Sequence, residues 1–220
     1  MNLGERIGRA LGRRRPARQL APEDILRREL GRAAEEFDLS DLIAVLVPRT
    51  FSETGHWPGP IYRLAAGDFD QTWAVLRPDN ALVYVSRAMQ ALWESRGEPW
   101  RDIADQNLRR LAEAEPFSHV CTREDGSTYM AVMNYGQNLA ASRLLVPGLL
   151  QTTFPEGYLV AVPEMTCAVA FSARPNEHEA QEIDGLISRL FENGSEPVSL
   201  LHYSPTALWE VASSDLGLRD

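Results

Sequence analysis

The chain has 220 residues, 44% of them hydrophobic and 24% charged, with a formal net charge of −9. Such a composition can bury a core, and no apolar run approaches the ~18 residues needed to cross a bilayer. All 22 basic residues are arginine, which excludes Schiff-base chemistry, a lysine general base and a P-loop lysine.

Cys121 and Cys167 are too few for a disulfide framework, and both sit in apolar, strand-like runs where a thiol serves as a small buried hydrophobe. Met1-Asn2-Leu3-Gly4-Glu5-Arg6 lacks the apolar stretch of a secretory signal. The expected location is the cytoplasm. Charge is uneven along the chain. Residues 1–20 carry six arginines against one acid, and the other 200 carry 16 arginines against 30 acids. An arm of +5 therefore precedes a body of −14. An acidic body repels phosphate backbones, and no nucleic-acid partner is expected.

The arm covers residues 1–21. Leu3, Ile7, Ala10 and Leu11 share one helical face, with Arg6, Arg9 and Arg13 toward the other. Gly4, Gly8 and Gly12 weaken such a helix, and Pro16 ends it. A solvated tail fits this pattern. So does a weak helix for an anionic membrane surface or a partner, with Leu3, Arg6, Ile7, Arg9, Leu11 and Arg13 as its contacts. A lead-in over residues 22–66 follows. Pro22 opens a helix with Ile25, Leu26, Leu30, Ala33, Ala34 and Phe37 at helical spacing. Leu42–Val47 reads as a buried strand or short helix, and residues 51–60, with His56-Trp57 between prolines, as an irregular loop.

The main domain is expected over residues 67–213, with a tail over 214–220. Thr72–Arg77 and Ala81–Arg87 form a hairpin around Pro78-Asp79-Asn80. Ser86 caps a helix over 87–96. A stronger helix spans 99–114, where Trp100, Ile103, Ala104, Asn107, Leu108, Leu111 and Ala112 share a face. Phe117–Arg123 and Ser127–Asn134 make a second hairpin at Asp125-Gly126, and a helix over 137–146 stops at Pro147-Gly148. Tyr158–Val162 and Thr166–Ser172 make a third hairpin, apolar on both faces and so covered on both. Asn176 and Glu179 form a capping box for a long helix that Asn193-Gly194 closes. Val198–Tyr203 and Ala207–Val211 read as a fourth hairpin around Pro205. The fold class is α+β: an antiparallel sheet of successive hairpins, ββα-ββα-ββα-ββ, with helices mainly on one face.

From Trp73 to Val211 the chain resembles the YtpQ-like family of bacterial proteins. The likeness rests on ordered words: Asp105-Gln106-Asn107-Leu108 in a helix, Ala141-Ser142-Arg143-Leu144-Leu145, Leu149-Leu150, Val160-Ala161-Val162-Pro163 and Pro197-Val198-Ser199-Leu200. The resemblance implies a soluble bacterial protein of unknown function. It brings no catalytic residues with it.

The residues themselves offer no catalytic motif. No G-x-S-x-G, G-x-G-x-x-G or P-loop is present, and His56, His119, His178 and His202 lack metal-ligand spacing. No metal and no cofactor are expected. Asn107, which interrupts an apolar helix face, and the polar pair Ser142 and Arg143, which precede the Pro147-Gly148 break, are the candidate binding residues. Either they satisfy backbone groups and a carboxylate inside the fold, or they form a small recognition patch. The function this supports is a non-catalytic binding or adaptor module, chaperone-like, that meets a protein partner or itself. Such a module needs an exposed apolar patch. The alternative is an enzyme with an unrecognised site, a hydrolase, in which at least two of His119, Cys121, His202, Asn107 and Arg143 converge.

Overall fold

A computed structural model describes residues 37–53, 57–78, 81–135, 139–208 and 210. The arm contacts at Leu3, Arg6, Ile7, Arg9, Leu11 and Arg13, the helix expected from Pro22, and His56 lie outside the described residues.

The described chain opens with a 3-10 turn at Leu39–Asp41, capped by Asp38, and runs into strand β1, Leu42–Pro48. A one-turn helix α1, Arg49–Ser52, follows and runs two residues into the segment expected to be loop. Strands β2, Tyr62–Arg63, β3, Phe69–Leu76, and β4, Leu82–Tyr84, complete a first antiparallel sheet. β1 pairs with β3 along its whole length, from Leu42 opposite Val75 to Pro48 opposite Phe69. β2 and β4 share the other edge of β3. Helix α2, Arg87–Ser95, starts where expected because the Ser86 hydroxyl accepts from the Met89 N–H at 3.2 Å. Helix α3, Trp100–Ala114, buries Trp100, Ala104, Asn107, Leu108 and Ala112, the face its spacing defines. α3 packs on β1, and Trp100 meets Trp73 of β3 edge to face at 5.1 Å.

A second antiparallel sheet has the order β5 (His119–Thr122), β6 (Thr128–Asn134), β8 (Cys167–Ser172), β7 (Tyr158–Glu164). The β5–β6 turn needs a left-handed residue, and Gly126 supplies it at φ 83°. Between β6 and β7 the chain forms a short helix α4, Leu139–Ser142, a 3-10 turn Arg143–Leu145, and helix α5, Pro147–Gln151. Helix α6, Glu177–Asn193, carries the expected capping box: Asn176 accepts from the Glu179 N–H, and Glu179 accepts from the Asn176 N–H. The Arg123 guanidinium also clasps the Glu179 carboxylate at 2.7 and 2.8 Å. That hydrogen bonding holds the Glu179 carboxyl below its usual range.

The α+β class, the antiparallel pairing and the helices between strands are as the sequence reads. The strands divide between two sheets, however, and α4 is the reason. It packs against β1 on one side and β6 and β8 on the other, so β1 pairs only with β3. Three apolar clusters result. One joins β1 and β3 to α2 and α3. The central one joins Leu46, Leu64 and Phe69 of the first sheet to α4 and to Ala131, Met133, Val160, Val162, Ala168 and Ala170 of the second. The third packs Ile183 and Ile187 of α6 on the outer face of the second sheet. The β7–β8 hairpin is thus covered on both faces, as its composition demands.

The fourth hairpin does not form as expected. Residues 197–203 lie along the free edge of β7, with bridges at Val160–Tyr203 and Glu164–Pro197. Pro205–Leu208 is a 3-10 turn instead of the start of a return strand. Pro205 fixes its own φ near the helical value and has no N–H for a ladder, which favours the turn.

Candidate functional site

The structure places Asn107, Ser142 and Arg143 inside the fold, each bonded to backbone. β1 is an edge strand, yet all seven of its residues are buried, so its outward backbone groups cannot reach water. Asn107 Nδ2 donates to the carbonyls of Leu42 and Leu39, both at 2.8 Å, and its Oδ1 accepts from Arg110. The Ser142 hydroxyl accepts from the Leu46 N–H at 3.1 Å. Two side chains from α3 and α4 therefore take the place of a neighbouring strand. Arg143 serves a helix end. Its guanidinium donates to the carbonyls of Glu115 at 3.3 Å and Leu139 at 3.2 Å, and it stacks 3.5 Å from the Tyr135 ring centroid. The Tyr135 hydroxyl donates to the same Glu115 carbonyl at 2.6 Å, closing the C-terminus of α3. Burial lowers the Arg143 guanidinium below its ordinary value.

The side chains proposed for catalysis divide between two regions: Asn107 and Arg143 lie by β1 and the end of α3, and His119, Cys121 and His202 lie at the second sheet. His119 is exposed on β5. His202 stacks on Phe171 at 4.9 Å and lies 3.6 Å from Asp184. No hydrogen bond or ion pair joins any two of His119, Cys121, His202, Asn107 and Arg143. Burial pushes the Cys167 thiol up to about 11, which keeps it protonated and unreactive. Among the described residues, no group of three or more His, Cys, Asp or Glu side chains is placed to hold a metal ion. No helix among them is long and apolar enough to cross a membrane.

A different region carries exposed apolar side chains at a cleft. Where α1 and the Gly67-Asp68 turn of the first sheet face residues 196–201 beside the second, a cleft of about 840 Å³ opens. Phe51 and Leu201 line it, at 38% and 59% exposure, and Leu200, the chain neighbour of Leu201, is 49% exposed. Among the described residues only one other large hydrophobic, Val120, is exposed to this degree. Met165 and Val198 extend the apolar lining, and Glu53, Asp68 and Glu196 put three exposed carboxylates around it. Arg49, also at the cleft, turns its guanidinium inward to buried Asp70 at 3.4 Å and to the Leu64 carbonyl at 3.3 Å. Asp70 also accepts from Ser52 at 2.5 Å. These bonds pin α1 to the sheet and hold Phe51 in place.

The opposite wall is equally fixed. The Tyr203 hydroxyl donates to Asp68 at 2.6 Å and lies 2.7 Å from the Ser199 hydroxyl, while Ser199 Oγ accepts from the Leu201 N–H at 3.1 Å. The Tyr203 ring packs edge to face on Phe69 at 5.4 Å. Burial, reinforced by the bond to Asp68, raises the Tyr203 phenol well above its ordinary value, so it stays protonated and keeps donating. Glu164 braces the turn below, accepting from the Thr166 N–H at 2.8 Å and its hydroxyl at 2.5 Å. At Gly194, a Cβ would fall 2.3 Å from Glu164 Cγ, so only glycine fits there. Leu200 and Leu201 are thus held out to solvent by a bonded loop.

One sequence signal points to this cleft. Adjacent leucines in an extended run point to opposite faces, so Leu200-Leu201 cannot both enter a single-sided core. Phe51 had no such signal, because its one-turn helix lies in an irregular stretch. No family model, curated protein or solved structure matches the chain.

Proposed function

We propose that this protein is a non-catalytic binding or adaptor module that receives a protein partner in the cleft between Phe51 and Leu201. One observation carries the reading: two of the four exposed large hydrophobics among the described residues, Phe51 and Leu201, line one cleft from its two walls. Scattered apolar surface residues need no explanation, but a gathered set rimmed by polar groups is the usual mark of an interaction surface. The fixed walls add to this, since a preorganised surface loses little freedom on binding. A cytoplasmic location belongs to the same proposal, and the two free cysteines support it. So does membership of the YtpQ-like family, supported by the ordered words between Trp73 and Val211.

The test is affinity capture of tagged full-length protein from its native cells. Wild type is compared with Phe51→Asp, Leu201→Asp and, as a control away from the cleft, Val120→Asp. A partner recovered with wild type and the control should fall about tenfold or more with both cleft variants. Equal recovery across all four would defeat the reading.

A further inference from the structure

We infer that the cleft accepts a basic segment with apolar residues at helical spacing, and that its occupant in the isolated chain is the chain's own residues 1–21. The inference rests on reading the cleft as a docking surface, and it names the ligand chemistry.

Charge comes first. The three carboxylates at the cleft, Glu53, Asp68 and Glu196, are exposed, while the Arg49 guanidinium is turned toward Asp70. The net field there is negative, within a body that is itself acidic. A ligand for it should combine cations with apolar side chains. Residues 1–21 have that composition: Leu3, Ile7 and Leu11 at i, i+4 and i+8, flanked by Arg6, Arg9 and Arg13. No 20-residue stretch that lies wholly after residue 21 holds more than four arginines. At helical rise the three apolar side chains span about 12 Å, and the cleft offers them Phe51 on one wall and Leu201 on the other.

Reach comes second. The described chain begins at Phe37, before β1, and β1 leads directly to the cleft at Pro48. Seven residues of strand cover about 20 Å. The residues between Ala21 and Phe37 would cover about 24 Å at helical rise and more if extended. The arm therefore returns to the cleft without strain. Attachment also raises its local concentration to the millimolar range expected of a short tether, so a weak site would still be filled.

The test is site-specific photocross-linking in the full-length chain, with p-benzoylphenylalanine at position 201 and, as control, at 120. The position-201 probe should cross-link to peptides from residues 1–21, and the position-120 probe should not. Mixed isotopically light and heavy chains should show the cross-link within one chain. The triple substitution Arg6→Glu, Arg9→Glu, Arg13→Glu should cut the position-201 yield about fivefold or more. Cross-links to the body of a second copy would overturn the inference in favour of self-association. A yield indifferent to the triple substitution would overturn it outright. Co-sedimentation with phosphatidylglycerol vesicles, without a position-201 cross-link in their absence, would assign the arm to lipid instead. None of these failures touches the partner-capture result, which stands or falls on Phe51→Asp and Leu201→Asp.

Discussion

Asn107, Ser142 and Arg143 are polar and buried; Phe51, Leu200 and Leu201 are apolar and exposed. Both sets sit on the wrong side of the usual division between inside and outside, and the reasons are opposite. The buried polar set answers a debt of the fold: an edge strand and a helix end that water cannot reach. The exposed apolar set stands at the surface, where the hydrogen bonds of the surrounding chain hold it. A residue out of place is therefore a functional signal only after its own backbone surroundings have been accounted for.

That contrast can be broken by measurement. The largest loss of stability should come from Arg143→Met. It removes two charged hydrogen bonds and an aromatic stack, and should cost about 3 kcal/mol in urea unfolding. Asn107→Leu strands the Leu42 carbonyl in the interior and should cost about 2 kcal/mol. Ser142→Ala leaves the Leu46 N–H without its acceptor, for about 1–2 kcal/mol. If any of these three folded as stably as wild type, its side chain would be free for another task.

A smaller effect tests the α6 cap. The Glu179 carboxyl is held below its ordinary value when folded, so it stabilises the protein above the unfolded value near 4.3. That contribution fades as pH falls through the folded value. Glu179→Gln should cost about 1 kcal/mol at pH 7, and the gap to wild type should close toward pH 3. The smallest effect belongs to the cleft: Phe51→Ser and Leu201→Ser should stay within about 0.5 kcal/mol of wild type. A large loss there would move those residues from the contact surface into the core.

Elements with local causes were legible in the sequence. The α6 capping box, the Ser86 cap, the Gly126 turn and the apolar face of α3 are each set by residues within a turn or two. The division into two sheets was not legible, because it depends on residue 142 reaching residue 46. Asn107 and Ser142 stood out correctly as polar residues in apolar surroundings. Their partners are backbone groups of a strand far along the chain, which no local pattern announces. Leu200 and Leu201 looked like strand core because exposure is not written in a hydrophobic side chain.

The bond from Tyr203 to Asp68 spans 135 positions of the sequence, and that span sets a schedule. During synthesis from the N-terminus, the wall bearing Phe51 is made early and waits. Its counterpart follows 135 positions later, and only then does the cleft close into shape. A nascent chain that stops short of Tyr203 would carry half a groove, and would offer a partner nothing to grip. The cleft thus reports that synthesis has passed Tyr203: whatever binds there recognises both walls together.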